Sequence, residues 1–550
     1  MSVKVYGIYL AYAPTIDLQY QGLGRYLAYF LKAAAKRSDV RFVVACPSWT
    51  KEGLLKLCES EGLAAGTFDI ISLPEKPLLL RVYERYLQYK QRPFRPSIFA
   101  RSKAALLSKC MQHRLSIERR FATSRSALGL LPWLIYVVAL GILLSPLLLM
   151  VAAFRSISHL FLALRNRLVG LSGVARNLLR LRVLTTQPKE EALVLRLYRF
   201  MEQHETDVLT AKINRLTQVE AWYSPTAFWP SFNKIKAPHV MCVPDVVLKD
   251  FPVGFSYVGG DRFLESFKMV EKAIEGSNRF ITYSNDTKWS TLVGHYGINP
   301  NYVDVVPHAV NDLHALVDVT GFADNETTGR RYAELLFSAA LRKATNLEYA
   351  ASFANRSAKF LFYPSQFRPS KNILSLLLAY YHLLKERYVG YKLILTGNPK
   401  DMPEIEDFIR DHNLANDVLC LHGLTVPELA ACYKLADLAI NPSLSEGGCP
   451  FTFSEALSVG TPVVMARIAV TEEVITDPEL QAMMLFDPYI WQDMADRIEW
   501  AIQNRDRLRS AQMDAFKSIS LRTWDDVVAD HIKILDRISD GPDGALLNQK

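Results

Sequence analysis

Short apolar runs alternate with longer amphipathic segments along most of this 550-residue chain. Most of these runs end in Pro, Ser or Asn, and the segments between them have the spacing of apolar residues that is typical of helices. This alternation predicts strands followed by helices, as in parallel α/β layers. The predicted strands are VKVYGIYLAYAP, RFVVACP, VEAWYSP, APHVMCVPDVV, RFITYSN, YVDVVPHAV, KFLFYPS, YKLILTGNP, VLCLHGL, LAINPSL and TPVVMAR.

The strand–helix series is interrupted around residues 311–355, which are polar and poorly periodic. We place the connection between two domains there. The pattern therefore predicts an α/β protein with two Rossmann-like lobes, an N-terminal lobe over residues 1–320 and a C-terminal lobe over residues 321–550. The last helix is a candidate to cross back to the first lobe. Doubly wound sheets bind ligands at the carboxyl ends of their strands, so a cleft between the lobes is the predicted site.

The most apolar part of the chain, residues 128–154, contains no charged residue, and Arg125 and Arg155 flank it. About 20 apolar residues suffice for a helix to cross a hydrocarbon core. The run is therefore long enough to enter a membrane, and a buried core helix is the alternative. If residues 1–75 and 190–330 build one lobe, both lie on the same side of the membrane. We therefore expect a re-entrant hairpin, a paired crossing or an interfacial segment.

Positive charge surrounds this apolar run. Residues 76–188 contain 19 Lys and Arg but two acidic residues, and the rest of the chain has a balance of −9. Residues 158–184 resemble a basic helix on an anionic membrane surface. We predict that residues 76–190 form a basic, apolar, membrane-associated insertion in the N-terminal lobe, with a membrane surface rather than nucleic acid as its partner. The seven scattered cysteines favour reduced thiols in a cytosolic compartment.

A glycine-containing loop, QGLGR, separates the first predicted strand from the first helix. Glycine lets the backbone approach a ligand, and a helix N-terminus favours an anion. Gly22 and Gly24 are therefore candidate phosphate-binding residues, with a plain turn as the alternative. The three-glycine dinucleotide fingerprint is absent, because Leu27 stands where its third glycine would be.

A second loop, YPSQFRPSKN, places Arg368 and Lys371 after a predicted strand and before a helix. Two cations at a strand's carboxyl end suit a diphosphate, with lysine as a point charge and arginine as a fork. The alternative is a solvated helix start. Cations at a helix N-terminus oppose the helix dipole, so local stability does not account for them.

A third loop, in SEGGCPFTFSEALSVGTPVV, places Glu446 beside Gly447 and Gly448. The amides of the two glycines can face an anion, and residues 451–459 read as the helix that follows. Glu455 on that helix could accept hydrogen bonds from ribose hydroxyls. As an isolated pattern, two glutamates nine residues apart also fit an ordinary loop–helix connection.

In their order along the chain, these loops resemble family-4 glycosyltransferases of the GT-B fold. The segments that carry the resemblance are the glycine loop, SQFRPSKN, LHGLTVPELAACYKLADLAINPS, SEGGCPFTFSEALSVGTPVV, LRTWDDV and ITYSNDTKWSTLVGHYGINPNYVDVVPHAVND. The resemblance covers roughly residues 1–50 and 220–535 and leaves the insertion outside. It implies transfer of a sugar from a nucleotide diphosphate sugar, with retention at the anomeric carbon and without a metal or other cofactor.

The resemblance also implies roles for individual residues, carried over by matching positions. Lys371 would hold the diphosphate and Glu455 the ribose. Glu446, with the amides of Gly447 and Gly448, would hold the donor sugar. Lys371 and Glu446 are predicted to act in catalysis as well as in binding.

Gly22 and Gly24 would form the wall of the N-terminal lobe beside the phosphates. The chain departs from the family in its glutamate spacing, which is nine rather than eight, and in Gln366, where the family has arginine. Arg368 is the candidate replacement for that arginine. Asp245, at the end of the strand in CVPDVV, is the third predicted catalytic residue, since it could polarise an acceptor hydroxyl. A structural strand-end aspartate is the alternative.

Together these features predict a glycosyltransferase on the cytoplasmic face of a membrane, with a bacterial inner membrane as the expected one. Its acceptor would be a membrane-associated, lipid-linked saccharide or a polysaccharide. One alternative is a transferase that acts on a soluble or nascent polymer and uses the insertion to dock on a synthase complex. Another is a catalytically inactive GT-B scaffold subunit of a membrane polysaccharide-synthesis complex.

Overall fold

The computed structural model describes residues 3–16, 18, 22–63, 66–91, 109, 113, 131–139, 142, 143, 145, 193–259, 261–345 and 358–540. The chain divides into two compact units. The first joins Met1–Lys76 to Glu202–Lys550, and the second is Pro77–Met201. Both predicted lobes belong to the first unit.

The first unit is built on two parallel sheets. Their strands are β1 Lys4–Tyr9, β2 Val40–Ala45, β3 Asp69–Ile71, β4 Ala221–Ser224, β5 His239–Cys242, β6 Phe280–Thr282, β7 Val303–Val305, β8 Phe360–Tyr363, β9 Lys392–Leu395, β10 Val418–Cys420, β11 Leu438–Asn441, β12 Val463–Ala466 and β13 Leu485–Phe486. The N-terminal sheet has the order β3-β2-β1-β4-β5-β6-β7, and the C-terminal sheet has the order β10-β9-β8-β11-β12-β13. All neighbouring strands run parallel, which confirms the predicted α/β class with two parallel sheets.

Helices separate most successive strands. The described helices are α1 Gly22–Ala34, α2 Thr50–Ser60, α3 Leu78–Gln91, α4 Leu193–Ile213, α5 Val247–Asp250, α6 Pro252–Gly259, α7 Asp261–Glu275, α8 Asn325–Leu341, α9 Ile373–Lys385, α10 Pro403–Asp411, α11 Val426–Leu435, α12 Phe451–Ser458, α13 Ala469–Val474, α14 Pro478–Met484, α15 Trp491–Gln503, α16 Arg505–Ser520 and α17 Trp524–Asp540. Each sheet has its own core of buried apolar side chains.

In both sheets the order in which successive strands are added reverses at a central pair of strands. In the N-terminal sheet β2 and β3 extend from one side of β1, and β4 to β7 extend from the other. The chain between β3 and β4 contains the whole second unit. In the C-terminal sheet the change falls between β8 and β11, which pair through Leu361 with Leu438 and Phe362 with Ala439. Such switch points open a crevice at the carboxyl ends of the strands, where doubly wound sheets bind ligands.

Three elements were not anticipated from the sequence. Strands β3 and β13 have three and two residues, too few to give a recognisable apolar run. Helix α8 lies within the segment predicted to be an irregular connection. Its N-terminal half is polar, and only Ala333, Phe337, Ala340 and Leu341 near its C-terminal end form a buried stripe.

The last helix, α17, packs against α1 and β4 of the N-terminal lobe. At its start the Arg522 Nε donates to the Pro307 carbonyl at 2.7 Å, and the Trp524 indole donates to the Val310 carbonyl at 3.3 Å. At its other end Asp536 accepts hydrogen bonds from Lys4 and Tyr6 of β1. The chain therefore returns to its first lobe after completing the second.

Most of the predicted membrane insertion, including the basic helix over residues 158–184, lies outside the described residues. Within the part of the chain that is described, no helix is both long enough and apolar enough to span a membrane. The apolar run over residues 128–154 is described at 131–139, 142, 143 and 145 only, and residues 131–139 are helical. Exposed apolar side chains of the second unit are Leu78, Leu79, Val82, Tyr83, Tyr86, Leu131, Leu134, Ile135, Tyr136, Val137, Val138, Ile142, Leu143, Leu197 and Phe200.

Candidate active site

The loop after β8 places Lys371 at the switch point of the C-terminal sheet. Pro369 starts a short 3-10 turn that ends at Lys371, and Asn372 follows in the left-handed region with a φ of 55°. Asparagine adopts that region more readily than most residues because its short side chain bonds locally. The Lys371 Nζ donates to the Glu446 Oε1 at 2.8 Å and to the Ser443 Oγ at 3.2 Å.

The loop after β11 is tied to the loop after β8 by hydrogen bonds. The Leu444 amide donates to the Ser370 carbonyl at 2.8 Å, and the Ser443 amide donates to the Asn441 Oδ1 at 3.1 Å. The Asn441 Nδ2 lies 3.5 Å from the Glu446 Oε1. These contacts hold the Glu446 carboxylate beside the Lys371 ammonium.

The two glycines after Glu446 seat this loop on the N-terminal lobe. A Cβ atom on Gly447 would lie 2.3 Å from the Pro244 carbonyl oxygen. A Cβ atom on Gly448 would lie 2.9 Å from the Tyr283 Cβ and 3.2 Å from the His308 ring. Both positions therefore require glycine for the loop to come this close.

His308 lies where this loop meets the N-terminal lobe, although the sequence did not single it out. Its Nδ1–H donates to the Ala309 carbonyl at 2.9 Å. Its ring centroid is 4.6 Å from that of Phe451 and 5.5 Å from that of Tyr283. Burial lowers the pKa of His308, so the ring supplies packing and a hydrogen bond rather than a charge at pH 7.

Arg368 is exposed at the same strand end, and its Nη2 donates to the Gln366 Oε1 at 2.7 Å. Gln366 is the residue that stands where the family has arginine. The side chain of Arg368 thus contacts the residue at which the sequence resemblance leads one to expect an arginine.

Asp245 follows the carbonyl of Pro244 on which Gly447 sits. Burial raises the pKa of this carboxyl to about 6, and the negative charge of Glu446 acts in the same direction. The positive charges of Lys371 and Arg368 oppose this rise. Asp245 therefore lies within the electrostatic reach of the loops after β8 and β11, as a weak base near neutral pH.

We expect Asp245→Asn to change how both activity and stability depend on pH. If the charged carboxylate assists sugar transfer, kcat/KM of the wild type falls as the pH drops through about 6. In the variant, kcat/KM should be lower by about 10²-fold or more and should no longer change with pH in that range. The pKa of Asp245 is higher in the folded state than in the unfolded state, so protonation stabilises the folded protein. This stabilisation is fully present below the unfolded-state pKa and is lost as the pH rises through about 6. The variant should therefore have a higher Tm than the wild type at pH 8 and an equal one at pH 4.

The check is a pH series of kcat/KM and Tm for wild type, Asp245→Asn and Asp506→Asn. Asp506 is a control because its side chain is exposed on α16. The stability gain at pH 8 should be no more than about 3 kcal/mol, since a tenfold difference in proton affinity corresponds to about 1.4 kcal/mol. An unchanged pH profile in Asp245→Asn would contradict the assigned role.

Glu455, on α12, is buried between the two lobes. Its Oε1 accepts from the Arg25 Nη1 at 2.6 Å and from the Asn311 Nδ2 at 3.2 Å. Burial by itself would lower the pKa of Arg25, but Glu455, together with Tyr433 and Tyr29, raises it overall, so the ion pair is formed at neutral pH. Glu455, the residue predicted to bind the ribose, is thus hydrogen-bonded to Arg25 in the first turn of α1.

The two glycines of the QGLGR loop differ in what surrounds them. A Cβ atom on Gly24 would lie 2.0 Å from the Leu18 carbonyl oxygen. A Cβ atom on Gly22 would have no other atom within 4 Å. Close packing of the loop on the start of α1 therefore requires Gly24. Gly22 is exposed, with open space beside it.

The structure brings Lys371, Glu446, Arg368 and Asp245 together at the carboxyl ends of β5, β8 and β11. Glu455 lies on the next helix and contacts α1. The sequence missed Arg25 and Asn311, although both lie inside segments that carry the family resemblance. Within the described residues no group of three or more His, Cys, Asp or Glu is arranged to hold a metal ion, and metal independence stays a prediction.

Comparison with known proteins places Lys371, Arg368, Glu446 and Glu455 in a segment that matches a known domain family. Residues 347–517 match the sequence model of the family described as "Glycosyl transferases group 1". The chain is 32% identical over 132 residues to "Putative glycosyltransferase EpsF" of Bacillus subtilis (strain 168), which covers 24% of this chain and 33% of that protein. It is 25% identical over 232 residues to "D-inositol 3-phosphate glycosyltransferase" of Paenarthrobacter aurescens (strain TC1), and this match covers 42% of this chain and 50% of that protein. The chain therefore spans between a third and a half of these relatives.

Solved structures share the fold at low sequence identity. Sucrose-phosphate synthase of Thermosynechococcus elongatus superimposes with a TM-score of 0.53 at 11% identity, over 97% of this chain and 99% of that one. Anabaena Alr3699/HepE in complex with UDP and glucose superimposes with a TM-score of 0.51 at 14% identity, over 98% and 100%. Residues 347–517 are thus a glycosyl transferases group 1 domain within a two-lobed α/β chain.

Proposed function

We propose that this protein is a glycosyltransferase that moves a sugar from a nucleotide diphosphate sugar to a saccharide acceptor. The observation that carries the proposal is the Lys371–Glu446 pair at the switch point of the C-terminal sheet, inside the group 1 domain. An ammonium at this edge suits a diphosphate, and the adjacent carboxylate suits sugar hydroxyls. The relatives named as glycosyltransferases support the same reaction class.

In the proposed reaction the bond between the anomeric carbon and the diphosphate oxygen breaks, and a bond to the acceptor oxygen forms. Lys371 and the amides of Gly447 and Gly448 stabilise the negative charge that grows on the leaving diphosphate. The acceptor hydroxyl donates a hydrogen bond to Asp245, whose raised pKa lets it take the proton near neutral pH. Glu446 binds the donor sugar. The proposal also keeps the prediction that Gly22 and Gly24 lie beside the phosphates.

Aromatic side chains at the carboxyl edge of the N-terminal sheet support a saccharide acceptor. The ring of Tyr12, after β1, lies edge-on to Trp229, after β4, with centroids 4.9 Å apart. The Trp49 indole, after β2, donates to the Tyr12 carbonyl at 2.7 Å. Trp49 and Trp229 are each 8% exposed and belong to the core, whereas Phe228, next to Trp229 in the chain, is 53% exposed. The exposed ring of Phe228 offers apolar surface against which a sugar ring can pack.

The acceptor in this proposal is membrane-associated, either a lipid-linked saccharide or a polysaccharide, and the enzyme works on the cytoplasmic face of a bacterial inner membrane. The support comes from residues 76–188, with 19 basic residues around an uncharged apolar run. Exposed apolar side chains on α3, such as Leu78 and Val82, add to it. Retention at the anomeric carbon and independence from metals are part of the proposal, and they rest on the family-4 resemblance.

The second candidate function is an inactive scaffold subunit that keeps the fold. Two observations favour it, the nine-residue spacing of Glu446 and Glu455 and the glutamine at position 366, Gln366. The two functions differ in whether the chain binds a nucleotide sugar at all.

A thermal-shift panel of UDP-, GDP- and ADP-sugars against the full-length protein separates the two functions. We expect one nucleotide class to raise Tm by a few degrees, because a ligand at 100 times its Kd stabilises a protein by about 2.7 kcal/mol. UDP-sugars are the first choice, because HepE has been solved with UDP. Nucleoside monophosphates serve as controls for the diphosphate. Absence of any shift across the panel would favour the scaffold.

A further inference from the structure

The buried carboxylate of Glu455 is held by two donors from outside its own domain. Arg25, from α1 of the N-terminal lobe, and Asn311, from the segment after β7, both donate to Oε1, at 2.6 and 3.2 Å. The Glu455 side chain is 2% exposed and that of Arg25 is 20% exposed. Neither of these two bonds involves Oε2, and the buried hydroxyl of Tyr433 lies within the electrostatic reach of the same carboxylate.

The same helix is anchored to the segment after β7 at further points. The Asn311 amide donates to the Ser454 Oγ at 3.4 Å, and the Leu313 amide donates to the Ser458 Oγ at 3.0 Å. Asn311 and Leu313 thus donate three hydrogen bonds to side chains on one side of α12. Arg25 of the N-terminal lobe donates a fourth. The orientation of the Glu455 carboxylate depends on how these parts are placed together.

We propose that Arg25 is a positioning residue for donor binding, which holds Glu455 through Oε1 so that Oε2 accepts hydrogen bonds from the ribose hydroxyls. This inference rests on the proposed function, because it assumes that a nucleotide sugar binds with its ribose at Glu455. A buried carboxylate that is fixed in advance loses less side-chain entropy when the ligand binds. Since Arg25 comes from the opposite lobe, ribose recognition is coupled to the approach of the two lobes.

A competing role for the same ion pair is a lock, in which Arg25 must leave Glu455 before the ribose can bind. The two roles predict opposite effects of removing Arg25. A positioning residue strengthens the binding of a ribonucleotide, and its loss weakens that binding. A lock weakens the binding, and its loss strengthens it.

The test measures discrimination between ribose and deoxyribose. Kd is determined by titration calorimetry for the nucleoside diphosphate of the class found in the thermal-shift panel, and for its 2′-deoxy and 3′-deoxy analogues. The proteins are full-length wild type, Arg25→Ala, Arg25→Lys, Glu455→Gln and the double variant Arg25→Ala/Glu455→Gln. Arg41→Ala is the matched control, because Arg41 belongs to an exposed ion pair with Asp69 in the same lobe. Melting curves verify that each variant folds.

We expect the wild type and Arg41→Ala to prefer the ribonucleotide over at least one deoxy analogue by about 10-fold or more, as for a hydrogen bond to a charged group. Glu455→Gln and Arg25→Ala should both lose most of this preference, and the double variant should lose no more than either. Arg25→Lys should recover part of it. Affinity for the deoxy analogue should change little in Arg25→Ala, which a general loss of structure would not produce.

Two results would overturn the inference and leave the proposed function standing. One is full ribose discrimination in Arg25→Ala when Glu455→Gln has lost it. The other is tighter ribonucleotide binding by Arg25→Ala, which identifies a lock. Absence of nucleoside diphosphate binding by the wild type would instead remove the proposed function, and the inference with it.

Discussion

Replacing Lys371 with alanine is expected to lower kcat of sugar transfer by about 10²–10³-fold, the usual cost of losing one group that stabilises charge in a transition state. The Lys371 ammonium is positioned by the Glu446 Oε1 at 2.8 Å and the Ser443 Oγ at 3.2 Å, at the switch point where a diphosphate would lie. The measurement is the rate of nucleoside diphosphate release with the donor identified in the panel. Lys371→Arg keeps the positive charge but replaces the compact ammonium with a planar guanidinium, so it should retain part of the rate.

The same substitution has an electrostatic effect that a folding defect would not mimic. The charge of Lys371 holds down the pKa of Asp245, which burial raises to about 6. In Lys371→Ala the residual activity should therefore titrate at a higher pH than in the wild type. Lys517→Ala is the control, because Lys517 is an exposed lysine on α16. Equal rates for wild type and Lys371→Ala would remove Lys371 from the site.

The second large effect is expected from Gly447→Ala. The added Cβ would lie 2.3 Å from the Pro244 carbonyl oxygen, a backbone atom that cannot rotate away. The loop after β11 must then withdraw from the N-terminal lobe and carry the Glu446 carboxylate with it. A displacement of about 1 Å in a positioned group can cost about 10²-fold in rate.

Gly390→Ala is the matched control for this experiment. Gly390 lies in the same lobe, and a Cβ there would meet no atom within 4 Å. Rates and Tm are measured for both variants and the wild type. We expect the rate to fall in Gly447→Ala alone. A Gly447→Ala enzyme with wild-type kcat and KM would show that close seating of the loop is unimportant.

Much of the fold could be predicted from the sequence because buried parallel strands are continuous apolar runs. β8 reads FLFY and β9 reads KLIL, and both stand out against their polar neighbours. Helix α12 and its end at Gly460, which has a φ of 84°, were also predictable. The edge strands β3 and β13 were not predictable, because two or three residues are too few to show a repeating pattern of apolar and polar positions.

The site was only partly predictable, for a physical reason. Loops at one sheet edge can be recognised from the strands they follow, so Lys371 and Glu446 could be placed together. Contacts between lobes depend on the relative position of two domains, and no local pattern encodes that position. The bonds from Arg25 and Asn311 to Glu455 are contacts of this kind.

The unusual spacing of the two glutamates has a local explanation. Helix α12 begins at Phe451, directly after Pro450, and carries Glu455 in a regular helical position. Residues 447–450, between Glu446 and this helix, form a loop, and a loop accommodates an additional residue more readily than a helix does. Glu446 keeps its contact with Lys371 despite this insertion.

A labelled donor sugar shows whether the chain transfers sugar to an acceptor. Wild type and Lys371→Ala are incubated with the radiolabelled donor of the class selected by thermal shift and with membrane lipids or saccharides as acceptor. We expect label in the acceptor fraction with equimolar release of nucleoside diphosphate, and both should depend on Lys371. Donor that stays intact with every acceptor would rule out the proposed function, and equal transfer by Lys371→Ala would rule out the role of Lys371.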